Sequence, residues 1–154
     1  MIKKILVSLD GSKLAEKALP YAQQLAQRFD AELVLVRVLQ LSADFFGIPA
    51  GAKVVREQVI RERVEAKSYL DRVLFQLRSR RLSAHAIIMD VHPAADAIVD
   101  LATDEAVDLI VISTHGRSGL SRWIHGSVAT KVLQDAPCPV FLVRANKPAN
   151  WFAA

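Results

Sequence analysis

The chain is expected to fold as an α/β domain: one open sheet of parallel strands with helices on both faces. Three observations lead there. Apolar runs of strand length alternate with amphipathic stretches of helix length along most of the sequence. The run 109–112 is continuously apolar, as a strand buried on both faces requires. That run passes into a loop carrying Gly116 and Gly119, and a Gly126-Ser127 pair then opens a helix. Glycines allow close approach of the backbone to an anion, and the free N–H groups of a helix start point at it, so strand, glycine loop and helix suit phosphate.

The elements follow in order. Residues 2–9 form the first strand, ended by Asp10-Gly11-Ser12, where Asp10 or Ser12 can cap the next helix. Leu14, Ala18, Ala22, Leu25 and Phe29 recur at helical spacing, Pro20 is expected to bend that helix, and Asp30 closes it. Residues 32–39 form the second strand. The stretch 40–50 that follows is aperiodic, and its Phe45 and Phe46 are expected to lie as a local lid on the core. A long helix spans 53–80, with Val55, Val59, Ala66, Leu70, Val73, Leu74 and Leu77 as its apolar stripe. Arg56, Glu57, Arg61, Glu62, Arg63, Glu65 and Lys67 are placed on its solvated face, and Arg72 to Arg81 at a solvated end. Residues 83–89 form the third strand. Pro93 then suits the first turn of a helix reaching about 105, with Ala94, Ala97, Ile98, Leu101 and Ala102 inward. Strand four is followed by a helix over 128–134, a fifth strand from Val140 to Arg144 and an aperiodic tail, 145–154.

Composition narrows the function. A chain of 154 residues suits one domain, here 1–144, plus the tail. Twenty basic against 16 acidic residues leave +4, mildly basic and no signature of nucleic-acid binding. Cys138, the sole cysteine, lies between Pro137 and Pro139 and is expected to be a small buried residue in a reducing compartment. No apolar run reaches transmembrane length, and the first residues hold too short a run for a secretory leader, so a cytoplasmic protein without a membrane partner is expected.

In a doubly wound sheet, ligands bind beyond the carboxyl ends of the strands, where the strand order reverses. If strands one and four are neighbours there, Asp10 and the glycine loop face each other across one crevice. Asp10 then accepts hydrogen bonds from a ribose or base, and the loop holds phosphates. Other chemistry is weakly supported. GxxxxGK[ST], GxGxxG after strand one and GxSxG are all absent. His85, His92, His115 and His125 stand on separate elements without metal-ligand spacing. His115 and His125 flank the glycine loop, in reach of a phosphate or simply of solvent.

From Met1 to Arg144 the chain resembles the universal stress protein family. That family's nucleotide signature is Gly, two residues, Gly, nine residues, Gly, then Ser or Thr. Here Gly116 is followed by nine residues and then Gly126-Ser127; the first glycine is replaced by Ser113. The starting ILVSLDGS, the PAADAIVDLA ahead of strand four and the closing APCPVFLVR are also similar to the family. The resemblance implies a five-stranded parallel sheet of order 3-2-1-4-5, related to adenine-nucleotide alpha hydrolases, and a homodimer. In ATP-binding members the positions matching Asp10 and Val38 meet the adenosine. Those matching Ser113, Gly116, Gly126, Ser127 and Val128 meet ribose and phosphates, and the one matching Ile112 lines the base side. His115 joins this set as a loop neighbour of the phosphates. The implied ligand is ATP or AMP, with Mg2+ as a possible companion, and the implied role is a regulatory binding module in stress response.

Two other classes stand beside it. One is a slow ATP hydrolase; the hydrolases related to this fold carry an SGGxDS-like loop after strand one, which SLDGS does not match, and no general base is evident. The other is a nucleotide-independent dimeric interaction module, since some family members lack the signature. A phospho-receiver domain fits less well: Asp10 and Asp90 end strands, but no lysine closes strand five. The dimer is expected through the fifth strand, an apolar edge with unpaired N–H and C=O groups.

Overall fold

A computed structural model describes residues 1–40, 52–90, 93–114 and 127–144, of which residues 52 and 53 are described by backbone alone. Their elements are β1 (Lys4–Ser8), α1 (Leu19–Phe29), β2 (Glu32–Val38), α2 (Ala52–Ser79), β3 (Ala84–Met89), α3 (Ala94–Asp104), β4 (Leu109–Ser113), α4 (Ser127–Asp135) and β5 (Val140–Val143). All strands run parallel in the order β3-β2-β1-β4-β5.

The sheet is buried on both faces, and the alternation of side chains along each strand divides the core in two. Ile5, Val7, Leu33, Leu35 and Val111 meet Ala22 and Ala26 of α1 and Leu70, Val73 and Leu77 of α2. Leu6, Val34, Val36, Ile110 and Ile112 meet Ile98 and Leu101 of α3 and Ala129 and Val132 of α4. Each Leu or Ile buried here adds roughly 1.5–3 kcal/mol over an exposed position.

Local structure departs from the sequence expectation at several points. The segment after β1 opens as a short 3-10 turn (Ala15–Ala18), and α1 begins only at Leu19. Pro20 therefore stands in the first turn of α1, where no intrahelical N–H is missed, and produces no bend inside a longer helix. Phe29 is exposed, because α1 ends there, beyond the sheet. Tyr69 joins the stripe of α2, whereas Val55 and Val59 are only half-buried. In α3, Pro93 is the N-cap, and Ala95 rather than Ala94 is buried. Strand β5 stops at Val143, leaving Arg144 exposed. Cys138 is half-buried, and that burial pushes its thiol pKa up.

Helices α1, α2 and α3 are each followed by a left-handed residue, at Asp30, Arg81 and Ala106 respectively. At each, the next amide closes back onto the helix: Ala31 to Ala26, Leu82 to Leu77 and Val107 to Ala102. Nearby, the amino-terminal edge of the sheet is held by charge. Asp108 Oδ2 accepts the backbone N–H of Lys3 at 2.7 Å and of Lys4 at 2.9 Å. Lys4 Nζ donates to the carbonyl oxygen and to Oε2 of Glu105, both at 2.8 Å. Those two backbone N–H groups hold the Asp108 carboxyl below its ordinary 3.8, and the Lys4 ammonium lowers Glu105.

A group with a lowered folded pKa contributes stability above its unfolded value, and loses it as pH falls through the folded one. Asp108→Asn, a neutral mimic of the protonated acid, is expected to be less stable than the parent at neutral pH. The gap should close below about pH 4, in the range of carboxylate titration. Urea unfolding of both proteins at a series of pH values measures this; a gap that does not depend on pH contradicts it.

Candidate functional site

Three strand ends converge at the carboxyl edge of the sheet. β1 sits between β2 and β4, with Val7 opposite Leu35 on one side and Val111 on the other. The connections through β2 and β3 run one way from β1, and those through β4 and β5 run the other. The order therefore reverses between β1 and β4, the place where such sheets leave a crevice.

On the β1 side the chain leaves through Leu9, whose N–H reaches the Val36 carbonyl at 2.9 Å. Asp10 follows. Its Oδ1 accepts the Ser12 N–H at 2.9 Å, and the Ser12 hydroxyl accepts the Ala15 N–H at 3.1 Å. Both residues proposed as caps from the sequence thus act in series, one as a turn and one over the 3-10 segment. Gly11 has φ +85°, a conformation side chains rarely adopt. On the β2 side Val38 is half-buried against the α3/α4 half of the core, and the Leu39 N–H continues the ladder to the Met89 carbonyl at 3.0 Å. On the β4 side Ile112 and Ser113 are buried, and the Thr114 N–H reaches the Val143 carbonyl at 2.9 Å. Helix α4 begins at Ser127, exposed, with Val128 half-buried beside it.

Asp10, Val38, Ile112 and Ser113 accordingly lie at three adjacent strand ends. Ser127 and Val128 open the helix that leads to β5. His115, Gly116 and Gly126 fall outside the described residues, as do His92, His125, the Phe45-Phe46 pair and the tail. Among the described residues, no group of three or more His, Cys, Asp and Glu side chains could hold a metal ion.

The sequence reading passed over Arg37. It lies in β2 on the α1/α2 side, opposite Ile88 and one residue before Val38, and is only 4% exposed. Its Nη2 is 3.7 Å from Oε2 of Glu62, and its guanidinium carbon stands 5.5 Å from the centre of the Tyr69 ring. Glu62, expected on the solvated face of α2, is instead turned inward, its side chain 15% exposed. The Tyr69 hydroxyl is buried without a hydrogen bond of full geometry. Burial raises its pKa, and the adjacent Glu16 carboxylate adds to the shift. The signal in the sequence was a single charge inside an apolar strand, matched by a tyrosine within a helix stripe.

Comparison with known proteins places this arrangement. The universal stress protein family profile matches residues 1–144. The chain belongs to the universal stress protein family. Universal stress protein MJ0531 of Methanocaldococcus jannaschii is 34% identical over 148 residues, which cover 96% of this chain and 85% of that protein. Universal stress protein UspA from Lactobacillus plantarum superposes with a TM-score of 0.82 at 29% identity, over 92% of this chain and 97% of the other. A universal stress protein from Archaeoglobus fulgidus, solved in complex with dAMP, superposes with a TM-score of 0.64 at 23% identity, over 94% and 98% of the two chains, a likeness of fold. The five-stranded order expected from the family resemblance is the order observed.

Gly11 offers a direct check of the local geometry. A Cβ added there would lie 3.0 Å from Arg37 Nη1. Gly11→Ala is expected to lower stability by about 1–2 kcal/mol, the usual cost of a left-handed backbone for an L-residue. Urea unfolding reads the loss, and no loss would mean that the turn relaxes freely.

Proposed function

We propose that this protein binds an adenine nucleotide, ATP or AMP, in the crevice between β1 and β4, as a regulatory binding module of stress response. One observation carries the reading: the strand order reverses where the Asp10 turn and the Ser113 end of β4 are neighbours. The nucleoside lies at the Asp10 and Val38 ends, with Ile112 on its base side. The phosphates lie toward Ser113, His115, Gly116, Gly126, Ser127 and Val128. A carboxylate repels phosphate, so Asp10 serves hydroxyls or the base. The glycine spacing of the β4–α4 segment supports the phosphate end, and the presence of dAMP in a distant neighbour of the same fold is consistent with the ligand class. Magnesium would arrive with the phosphates of ATP, since such ions retain water and need few protein ligands.

Calorimetric titration with ATP and magnesium, and a rise in melting temperature by mass action, test the reading. No heat and no thermal shift at millimolar nucleotide overturns it. Asp10→Ala is expected to weaken adenosine and ATP by a similar factor, about tenfold for one charge-assisted hydrogen bond. Weakening of ATP alone would move Asp10 away from the nucleoside.

The protein is further proposed to form a homodimer through β5. This strand is an edge of the sheet, and Leu142 is 39% exposed there. Phe141 instead turns inward, its ring 5.7 Å from that of Tyr21, and Val143 is buried. Antiparallel pairing of two such edges is two-fold symmetric and satisfies both. Sedimentation equilibrium of the parent is expected to show a dimer that Leu142→Lys shifts to monomer; a monomeric parent rules the edge pairing out.

A further inference from the structure

Three elements meet around Arg37, and their meeting point lies beneath the Asp10 turn. From β2 comes the guanidinium itself. From α2 come the Glu62 carboxylate, 3.7 Å from Nη2, and the Tyr69 ring, 5.5 Å from the guanidinium carbon. From the end of β1 comes Gly11, whose missing Cβ is what permits Nη1 to lie so close, 3.0 Å from where that atom would be. The Asp10 carboxylate is also near enough to act on Tyr69 electrostatically. Mere filling of space does not call for this. Leu33 and Leu35, on the same face of the same strand, fill the core with aliphatic carbon and face no cost of burying a charge. Removing a guanidinium from water costs several kcal/mol, offset only by good partners. Here those partners include a carboxylate and an aromatic face, and Nη1 lies close against the turn at Gly11.

We propose that Arg37 is a positioning residue for the nucleoside end of the site: clamped by Glu62 and Tyr69, its guanidinium forms the floor under Gly11 and fixes the turn that aims Asp10. This rests on the nucleotide reading of Asp10 given above. The turn is then held from two sides. Within it, the Ser12 N–H binds Asp10 Oδ1 at 2.9 Å. Beneath it, Arg37 prevents Gly11 from sinking toward α2. Because Glu62 and Tyr69 both belong to α2, the placement of that helix is coupled to the placement of Asp10.

The test uses Arg37→Met/Glu62→Met, which removes both charges at similar volume and puts an apolar pair in place of the ion pair, a replacement that folds tolerate well. Two measurements are made. Native-state hydrogen exchange is expected to show the Ser12 amide exchanging about tenfold faster or more, the equivalent of about 1.4 kcal/mol of local protection, while the amides of Ile5 to Val7 keep their rates. Titrations of ATP and adenosine are expected to show both weakened about tenfold, with no further weakening when the pair is combined with Asp10→Ala. Unchanged Ser12 exchange overturns the proposal, and so does a loss of affinity of the same size in the Asp10→Ala background. A parent protein that binds no adenine nucleotide would sink the proposed function, and Ser12 exchange would still decide whether Arg37 holds the turn. Should the double variant fail to fold, Arg37→Lys takes its place: an ammonium keeps the charge but cannot lie flat under Gly11 and over Tyr69 at once. Ser12 exchange and affinity are expected to move in the same direction by a smaller factor, and parental values for both overturn the proposal.

Discussion

Strand β1 is the constraint on which the rest of the fold depends. It pairs on both edges, with β2 and β4, and is covered on both faces, so that Ile5, Leu6 and Val7 are completely buried. A run of residues buried on both faces suits an inner strand of a doubly wound sheet. Once it sits there, right-handed crossovers send α1 and α2 to one face and α3 and α4 to the other, and the two halves of the core follow. The reversal of strand order beside β1 is the same fact seen from the ligand's side. Sheets of this order leave a crevice at such a point because the connections leaving the two strands diverge to opposite faces.

The two ends of the sheet are built differently. At the amino-terminal end, left-handed closures follow α1, α2 and α3, and Asp108 and the Lys4–Glu105 pair bind backbone and side chain across β1 and β4. These contacts are partly exposed, and salt screens them in part, so they set the register of the sheet as well as stabilising it. At the carboxyl end the chain leaves β1 through the Asp10 turn, and polar groups pack beneath it. Arg37 and Tyr69 are buried there, and Glu62 is half-buried beside them. Burial of an ion pair is poor evidence for stability, since its desolvation rivals its attraction. Its value lies in direction: a charged, planar group held by directional partners has one place to be, whereas a leucine packs in several.

The architecture was legible in the sequence because it depends on periodicity, which local composition records directly. The runs 33–36 and 109–112 and the stripe of α2 through Ala66, Leu70, Val73 and Leu77 were readable for that reason. Strand order was not a matter of periodicity and came from the family resemblance. What stayed hidden depended on neighbours distant in sequence. Pro20 is compatible with a bend and with a helix start, and only the 3-10 turn before it decides between them. Phe29 fits the apolar spacing of α1, but the helix outruns the sheet it covers. Glu62 looked like one of many charges on α2, and its inward turn is visible only once Arg37 lies opposite it. Asp10, Val38, Ile112 and Ser113 lie at strand ends because strand runs are readable from periodicity, while the glycines of the β4–α4 segment rest on their spacing alone.

Arg37 also bears on how this domain could act as a switch. A module that reports on a nucleotide must move something when the ligand binds, and the ligand can shift an equilibrium only by its differential contacts with the two states. The Asp10 turn has a link to an outer element. Through Arg37 it reaches Glu62 in the middle of α2 and Tyr69 two turns further on. The opposite side of the crevice has a link of its own: Thr114, at the end of β4, donates its N–H to Val143 in the edge strand β5. The Asp10 turn is thus tied to a long surface helix, and the end of β4 to the edge of the sheet. A ligand that tightened the Asp10 turn would act on α2 through the buried ion pair, and one that ordered the β4 end would act on the edge through a backbone ladder. The first path runs through groups that a single substitution can uncouple, whereas the second is made of backbone and cannot be removed without removing the strand.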